Sequence, residues 1–407
     1  MDPKERDRCP PAGVVRRVGG GEMKGAGGKS ARVLVVAGEA SADRYGAELV
    51  RRLGALPGNG NLRFYGAGGD AMQAAGVELL CHVRELGHIG PREALTGLRT
   101  YFRTFKLLLR ASAAEPPRVA VLLDFPEFNL RLAKRMKRLG IPVVYYISPQ
   151  IWAWRGGRIR TIRECVDRML VILPFEEAYY RARGVEAEFV GHPLLEVSPG
   201  PDRFPALPPE PERRTVALLP GSRRREVDHI LPTLLLAGCE LMKRVPVRFL
   251  VSAAPTVDAG QIERIVEKTL GGREGRSHFH ILTRSSRDII AGADFAFVKS
   301  GTSTLEAALA GVPFLTMYKI SRLSWLAGSL LIRGGTKGLV NLIAGERIVP
   351  ELFQDQASPE ALARVALRYL ESPAESAAMR DRLRGVRQML GAHRASERAA
   401  AAVNGFL

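Results

Sequence analysis

From Arg32 onward the chain repeats one pattern, in which a short run of consecutive apolar residues ends in a polar or glycine-containing turn and a helical pattern follows. Val33 to Ala37, Val119 to Leu123, Val143 to Ile147 and Met169 to Leu173 are such runs. A strand with one wet face alternates apolar and polar residues, so unbroken runs call for cover on both faces, as in a parallel sheet between helical layers. Arg44 to Leu53, Asn129 to Leu139 and Glu176 to Arg183 carry the helical patterns, and a doubly wound α/β domain is predicted.

The pattern breaks between Leu195 and Arg214, where Pro199, Pro201, Pro205, Pro208, Pro209 and Pro211 stand among charges. That composition suits an extended linker and no packed element. Behind it the alternation restarts with strands Val216 to Leu219, Val247 to Val251, His278 to Leu282, Asp294 to Val298 and Val312 to Met317, and a helix around Ile230 to Arg244. Two Rossmann-like domains facing a cleft are expected: 31–194 and 215–355, joined by 195–214. Residues 1–30 read as a disordered basic arm, and 356–407 as C-terminal helices that pack back on the first domain. Ligands gather at the carboxyl ends of strands in such sheets, so the cleft is the expected active site.

Charge narrows the partners. Lys and Arg total 60 against 42 Asp and Glu, a net +18, which points to an anionic partner: nucleic acid, an acidic membrane surface or a phosphorylated substrate. Cys9, Cys81, Cys165 and Cys239 form no C-x-x-C pair, which argues against a zinc site or disulfide framework and fits a reducing cytoplasm. No apolar run of signal-peptide length opens the chain, and Leu323 to Ile332, the longest later run, is half a membrane span.

Ser300-Gly-Thr-Ser-Thr-Leu-Glu-Ala-Ala-Leu309 follows a buried run and joins a tight glycine turn to a helix start. Backbone N–H groups and hydroxyls of Thr302 to Thr304, at the start of the following helix, can seat a phosphate there. Glu306 then reaches past the phosphates to ribose hydroxyls, as a nucleoside diphosphate requires. The segment equally fits a plain helix start, with a threonine cap and Glu306 complementing the dipole. Gly221, Ser222 and Arg223 form a second candidate phosphate loop, in which glycine permits close approach and Arg223 offers paired donors.

In the first domain Glu39 and Asp43 follow one strand, Asp124 ends another, and Ser148 and His192 end two more segments. Asp124 lies directly after an apolar run, where limited water raises basicity and suits a general base for a sugar hydroxyl. A helix cap is the competing role for it. Gly66-Ala-Gly-Gly-Asp-Ala71 satisfies a relaxed dinucleotide pattern but reads better as a glycine turn, and no P-loop occurs. His278 and His280 lack a third metal ligand nearby. No Asp-x-Asp pair occurs, so Arg side chains, helix dipoles and backbone N–H groups are expected to meet the diphosphate without a metal or other cofactor.

Taken together, Val36-Ala-Gly-Glu-Ala-Ser41, Tyr146-Ile-Ser-Pro-Gln-Ile-Trp-Ala-Trp-Arg155, Leu173-Pro-Phe-Glu176, Phe189-Val-Gly-His-Pro193, Leu218-Leu-Pro-Gly-Ser-Arg223, Ser300 to Leu309 and Asn341-Leu-Ile-Ala-Gly345 closely resemble the lipid-A-disaccharide synthases. The resemblance spans about Val33 to Leu352 and implies a GT-B glycosyltransferase. It implies inverting, metal-independent transfer of 2,3-diacylglucosamine from its UDP derivative to 2,3-diacylglucosamine 1-phosphate. Asp124 is then the base with Glu39 beside it, while Arg223, Ser300, Gly301, Thr302, Glu306 and Asn341 match the donor-nucleotide side. The chain departs from the family pattern at Ala42, at Glu127 and at His88-Ile-Gly-Pro-Arg-Glu93, a loop expected to face the acceptor.

Such substrates favour a cytoplasmic protein that is peripheral on the inner membrane face, with an anionic membrane and no nucleic acid as partner, and a homodimer left open. Leu95, Leu98, Phe102, Phe105 and Leu109 form an apolar stripe beside Arg99, Arg103, Lys106 and Arg110, which suits an interfacial helix. An ordinary core-facing helix has the same periodicity. Two other functions remain: a GT-B relative acting on another UDP-sugar or lipid acceptor, such as an epimerase, and a nonenzymatic binder of anionic lipid or nucleic acid.

Overall fold

The computed structural model describes residues 31–86, 94–153, 155–197, 210, 212–254, 257–272, 275–319, 338–392 and 394–407. Residues 1–30, most of the proline-rich segment, the 88–93 departure and the Leu323 to Ile332 run lie outside the described residues. The chain divides into two units, residues 1–193 with 392–407, and 194–391.

The first unit is built on a seven-stranded sheet: β1 (Arg32–Ala37), β2 (Arg63–Gly68), β3 (Val77–His82), β4 (Val119–Leu123), β5 (Val143–Tyr146), β6 (Arg168–Val171) and β7 (Ala187–Phe189). Their order is β3-β2-β1-β4-β5-β6-β7, and every pairing is parallel. Successive side chains of a strand point to opposite faces. Val33, Val35, Ala37, Val119 and Val121 accordingly enter one core cluster, and Leu34, Val36, Ala120 and Leu122 the other. Double-sided burial is why these runs are apolar without a break.

The second unit repeats the design with β8 (Arg214–Leu219), β9 (Val247–Ser252), β10 (Phe279–Leu282), β11 (Phe295–Lys299), β12 (Phe314–Tyr318) and β13 (Glu351–Phe353), ordered β10-β9-β8-β11-β12-β13. All its pairings are parallel too.

The C-terminal segment does not act as one body. Helix Pro359–Glu371 adds Leu362, Ala366 and Leu370 to the second unit's core, and in helix Pro373–Met389 the Met379 sulfur accepts the Phe314 N–H. Helix Ala395–Asn404 alone belongs to the first unit, where Ala399, Ala400 and Val403 join the core and Asn404 bonds Asn59 at 2.7 Å.

Helix Ala94–Ala114 buries Thr104, Leu108 and Ser112. Phe105 turns inward against Phe128, edge-on at 5.6 Å, so it does not line a solvent-facing apolar stripe with Phe102. Phe102 and Leu107 stand 47% and 37% exposed, among the exposed Arg99, Arg103, Lys106 and Arg110. The side chains of Leu95 and Leu98 lie outside the described residues. No helix among the described residues is long and apolar enough to cross a membrane.

Candidate active site

Each sheet reverses its winding once, between β1 and β4 in the first unit and between β8 and β11 in the second. At such a reversal the connections leave in opposite directions and open a crevice at the strands' carboxyl ends. The residues singled out from the sequence fall largely at these two positions.

In the first unit Glu39 follows β1 and Asp124 follows β4. The Asp124 N–H extends the ladder by donating to the Tyr146 carbonyl at 3.1 Å, and the chain then turns sharply. Asp124 and Phe125 both take φ of 46°, a left-handed conformation that non-glycine residues adopt only under constraint. The constraint is visible. The Asp124 carbonyl accepts the Asn129 amide at 2.8 Å and the Tyr145 hydroxyl at 2.6 Å, while Gly38 makes room for Phe125, whose Cγ a Cβ there would meet at 2.2 Å.

Asp124 is half-buried, and its pKa is raised from 3.8 to about 6, first by burial and then by the Glu39 charge, against the opposing effect of the Phe125 N–H. It does not cap the following helix, whose N-cap is Phe125. A carboxyl titrating near 6 with a second carboxylate beside it is placed to take up a proton at neutral pH.

The neighbours of this pair have scaffolding roles. Asp43 accepts the N–H groups of Gly69, Ala71 and Met72 at 2.6, 3.0 and 3.1 Å. Gly66 serves strand packing, since a Cβ there would sit 1.8 Å from the Val35 carbonyl oxygen. Buried Glu176 fastens the loop after β5: it accepts Ser148 Oγ at 2.7 Å, Trp152 Nε1 at 2.9 Å and the Leu173 N–H at 3.1 Å. Burial raises the Glu176 pKa and those bonds oppose the rise. Glu127 binds Arg155 and Arg158 at the loop's far end. Burial pushes His192 down to about 4, so it is neutral.

In the second unit Gly221 follows β8 with φ of 117°, and Gly301 follows β11 with φ of 151°. Ser222 lies between Gly221 and the largely exposed Arg223, the N-cap of helix Arg224–Met242. The Ser300 N–H is taken by the Met317 carbonyl at 2.9 Å, and the Thr304 hydroxyl donates to the Gly301 carbonyl at 2.6 Å. Thr302, the first residue of helix Thr302–Ala310, is exposed, and Ser300 and Ser303 are partly so. Glu306 accepts the Ser286 hydroxyl and lies 3.7 Å from Arg287.

Asn341 is 2% exposed, and its amide is wholly engaged by protein. Its Nδ2 donates to the Val349 carbonyl and Glu351, and its Oδ1 accepts the Ile348 and Val349 N–H groups. It shapes the loop before β13. Sequence reasoning missed Asn129, Tyr145, Lys299 and Glu226. An acidic residue in a first helical turn, such as Glu226 soon after Gly221, was the available signal. Among the described residues no three His, Cys, Asp or Glu side chains gather where they could hold a metal ion.

The lipid-A-disaccharide synthetase family matches residues 33–404. Lipid-A-disaccharide synthase of Syntrophus aciditrophicus is 43% identical over 373 residues, covering 90% of this chain and 96% of that one. The Myxococcus xanthus enzyme of the same name is 42% identical over 378 residues, covering 91% and 96%. Among solved structures, the glycotransferase of kitacinnamycin superposes with a TM-score of 0.61 at 14% identity, covering 93% of this chain and 100% of that one. That likeness agrees with a GT-B fold of two Rossmann-like units, and the match over nearly the full length shows that this chain belongs to the lipid-A-disaccharide synthetase family.

Proposed function

We propose that the chain transfers 2,3-diacylglucosamine from its UDP derivative to the 6-hydroxyl of 2,3-diacylglucosamine 1-phosphate, with inversion at the anomeric carbon. Asp124 removes the hydroxyl proton as the oxygen attacks. The bond from the anomeric carbon to the diphosphate oxygen breaks, and its electron pair leaves with UDP. The observation that carries this reading is the Asp124 carboxyl, fixed at the first unit's sheet reversal and raised to about 6. Glu39 acts beside it and helps set that basicity.

The first unit takes the acceptor and the second the donor. Gly221, Ser222, Arg223, Ser300, Gly301 and Thr302 surround the diphosphate, Glu306 meets the ribose, and Asn341 holds the supporting loop. The exposed side of helix Ala94–Ala114, with Phe102 and four cations, docks on the inner face of the cytoplasmic membrane, from which acylated substrates must be drawn. Two domains divide these tasks; the ends of the linker expected at 195–214 are packed, since Leu195 is buried in helix Leu194–Val197 and Arg214 begins β8.

Purified protein given defined acyl donor and acceptor should release UDP and form a disaccharide 1-phosphate whose mass is that of donor plus acceptor less UDP. UDP release with some other lipid acceptor, and none with this one, would redirect the reading to a different GT-B transfer.

A further inference from the structure

Lys299 ends β11 between the two glycine turns of the second unit. Its stem lies 3.6 Å from where a Cβ would stand on Gly221, and its ammonium lies 3.5 Å from the corresponding position on Gly301. Glu226 holds that ammonium at 3.0 Å and also faces Arg223 at 3.6 Å. On another side the Tyr318 ring centroid is 5.5 Å away.

The pair is expensive to build. Lys299 and Glu226 are only 18% and 13% exposed, and desolvating two such ions offsets much of their attraction. Glu226 also occupies the space that a side chain at position 221 would need, since a Cβ there would lie 2.8 Å from its Oε2. One carboxylate thus anchors two cations and leaves the cluster with an excess positive charge. A lysine ammonium is a compact charge with three donors, and such a charge suits phosphate oxygens.

We propose that Lys299 binds the diphosphate of the donor, presented between the two glycine turns by Glu226, and meets the negative charge that grows on UDP as it departs. The inference rests on the reading of this unit as the nucleotide side and adds a cation that the sequence did not suggest. The competing role for Lys299 is a structural pair tying helix Arg224–Met242 to β11.

Full-length parent, Lys299→Met and Lys299→Arg are titrated calorimetrically with UDP, UMP and uridine. We expect Lys299→Met to weaken UDP binding about tenfold or more, UMP less, and uridine not at all, with Lys299→Arg recovering most of the UDP affinity. Lys299→Gln replaces the Met variant if that one fails to fold. UDP affinity unchanged in the Met or Gln variant, or UDP and uridine affinity lost in equal proportion, overturns the proposal. A parent that binds uridine and UDP equally also overturns it, whereas a parent that binds neither overturns the nucleotide reading and this inference with it.

Discussion

The side-chain amide of Asn129 donates to the main-chain carbonyls of Leu123 and Asp124, at 3.0 and 2.8 Å, and so holds the end of β4 in its left-handed turn. Asn129 is fully buried, and its Oδ1 has no hydrogen-bond partner among the described residues. An unmet buried acceptor costs about 1–3 kcal/mol, a burden borne where both amide donors are committed to placing the Asp124 carboxyl.

Asp124→Asn keeps the shape of the side chain and removes its basicity. We expect kcat to fall by about 10² or more with UDP affinity little changed. Near-parental turnover would remove Asp124 from the chemistry.

The same substitution should stabilise the fold at neutral pH. The native carboxyl binds its proton more tightly than the unfolded chain, with a pKa of about 6 against 3.8, so stability falls as pH rises through that interval and the cost is complete above it. At 1.36 kcal/mol per unit, the penalty relieved is at most about 3 kcal/mol. Thermal unfolding should show the Asp124→Asn variant melting higher than parent at neutral pH and level with it well below pH 3.8.

Glu39→Gln removes the charge that is the second cause of the raised Asp124 pKa. Asp124 must be deprotonated to act as a base, so kcat/KM of the parent should climb through about pH 6 and the variant's acid limb should move to lower pH. An unmoved limb would mean that the profile reports another group.

Glu306→Ala should weaken UDP binding by about 1–3 kcal/mol, the range for hydrogen bonds to a charged group. Calorimetry showing parental affinity in a folded variant would leave Glu306 as the partner of Ser286 and Arg287 alone.

Changing Arg99, Arg103, Lys106 and Arg110 together to Ser removes four exposed cations, each contributing about 1 kcal/mol near an anionic surface. Flotation with anionic vesicles should drop strongly and flotation with zwitterionic ones little. Phe102→Ser should weaken both. Equal binding by variant and parent would move the docking surface elsewhere.

The sequence by itself determined the sheets, because a strand buried on both faces must be apolar at every position, and Val33 to Ala37 or Val119 to Leu123 have no other use. It also marked Glu39, Asp124, Gly221 and Ser300 as strand-end residues. The edge strands β3, β7 and β13 escaped it, since an edge has one neighbour and less cover: Val77–His82 is partly exposed, and the other two are three residues each. Tertiary structure alone decided which stripe of helix Ala94–Ala114 turned inward, through the packing of Phe105 on Phe128. The apolar run before Asp124 already implied limited water and raised basicity, but the size of the rise, to about 6, depends on how the fold buries the carboxyl and sets the Glu39 charge beside it. Only the fold brought Lys299 to Glu226, because Lys299 ends β11 and Glu226 opens the helix after β8, with two strands between them in sequence, and no local pattern encodes their approach.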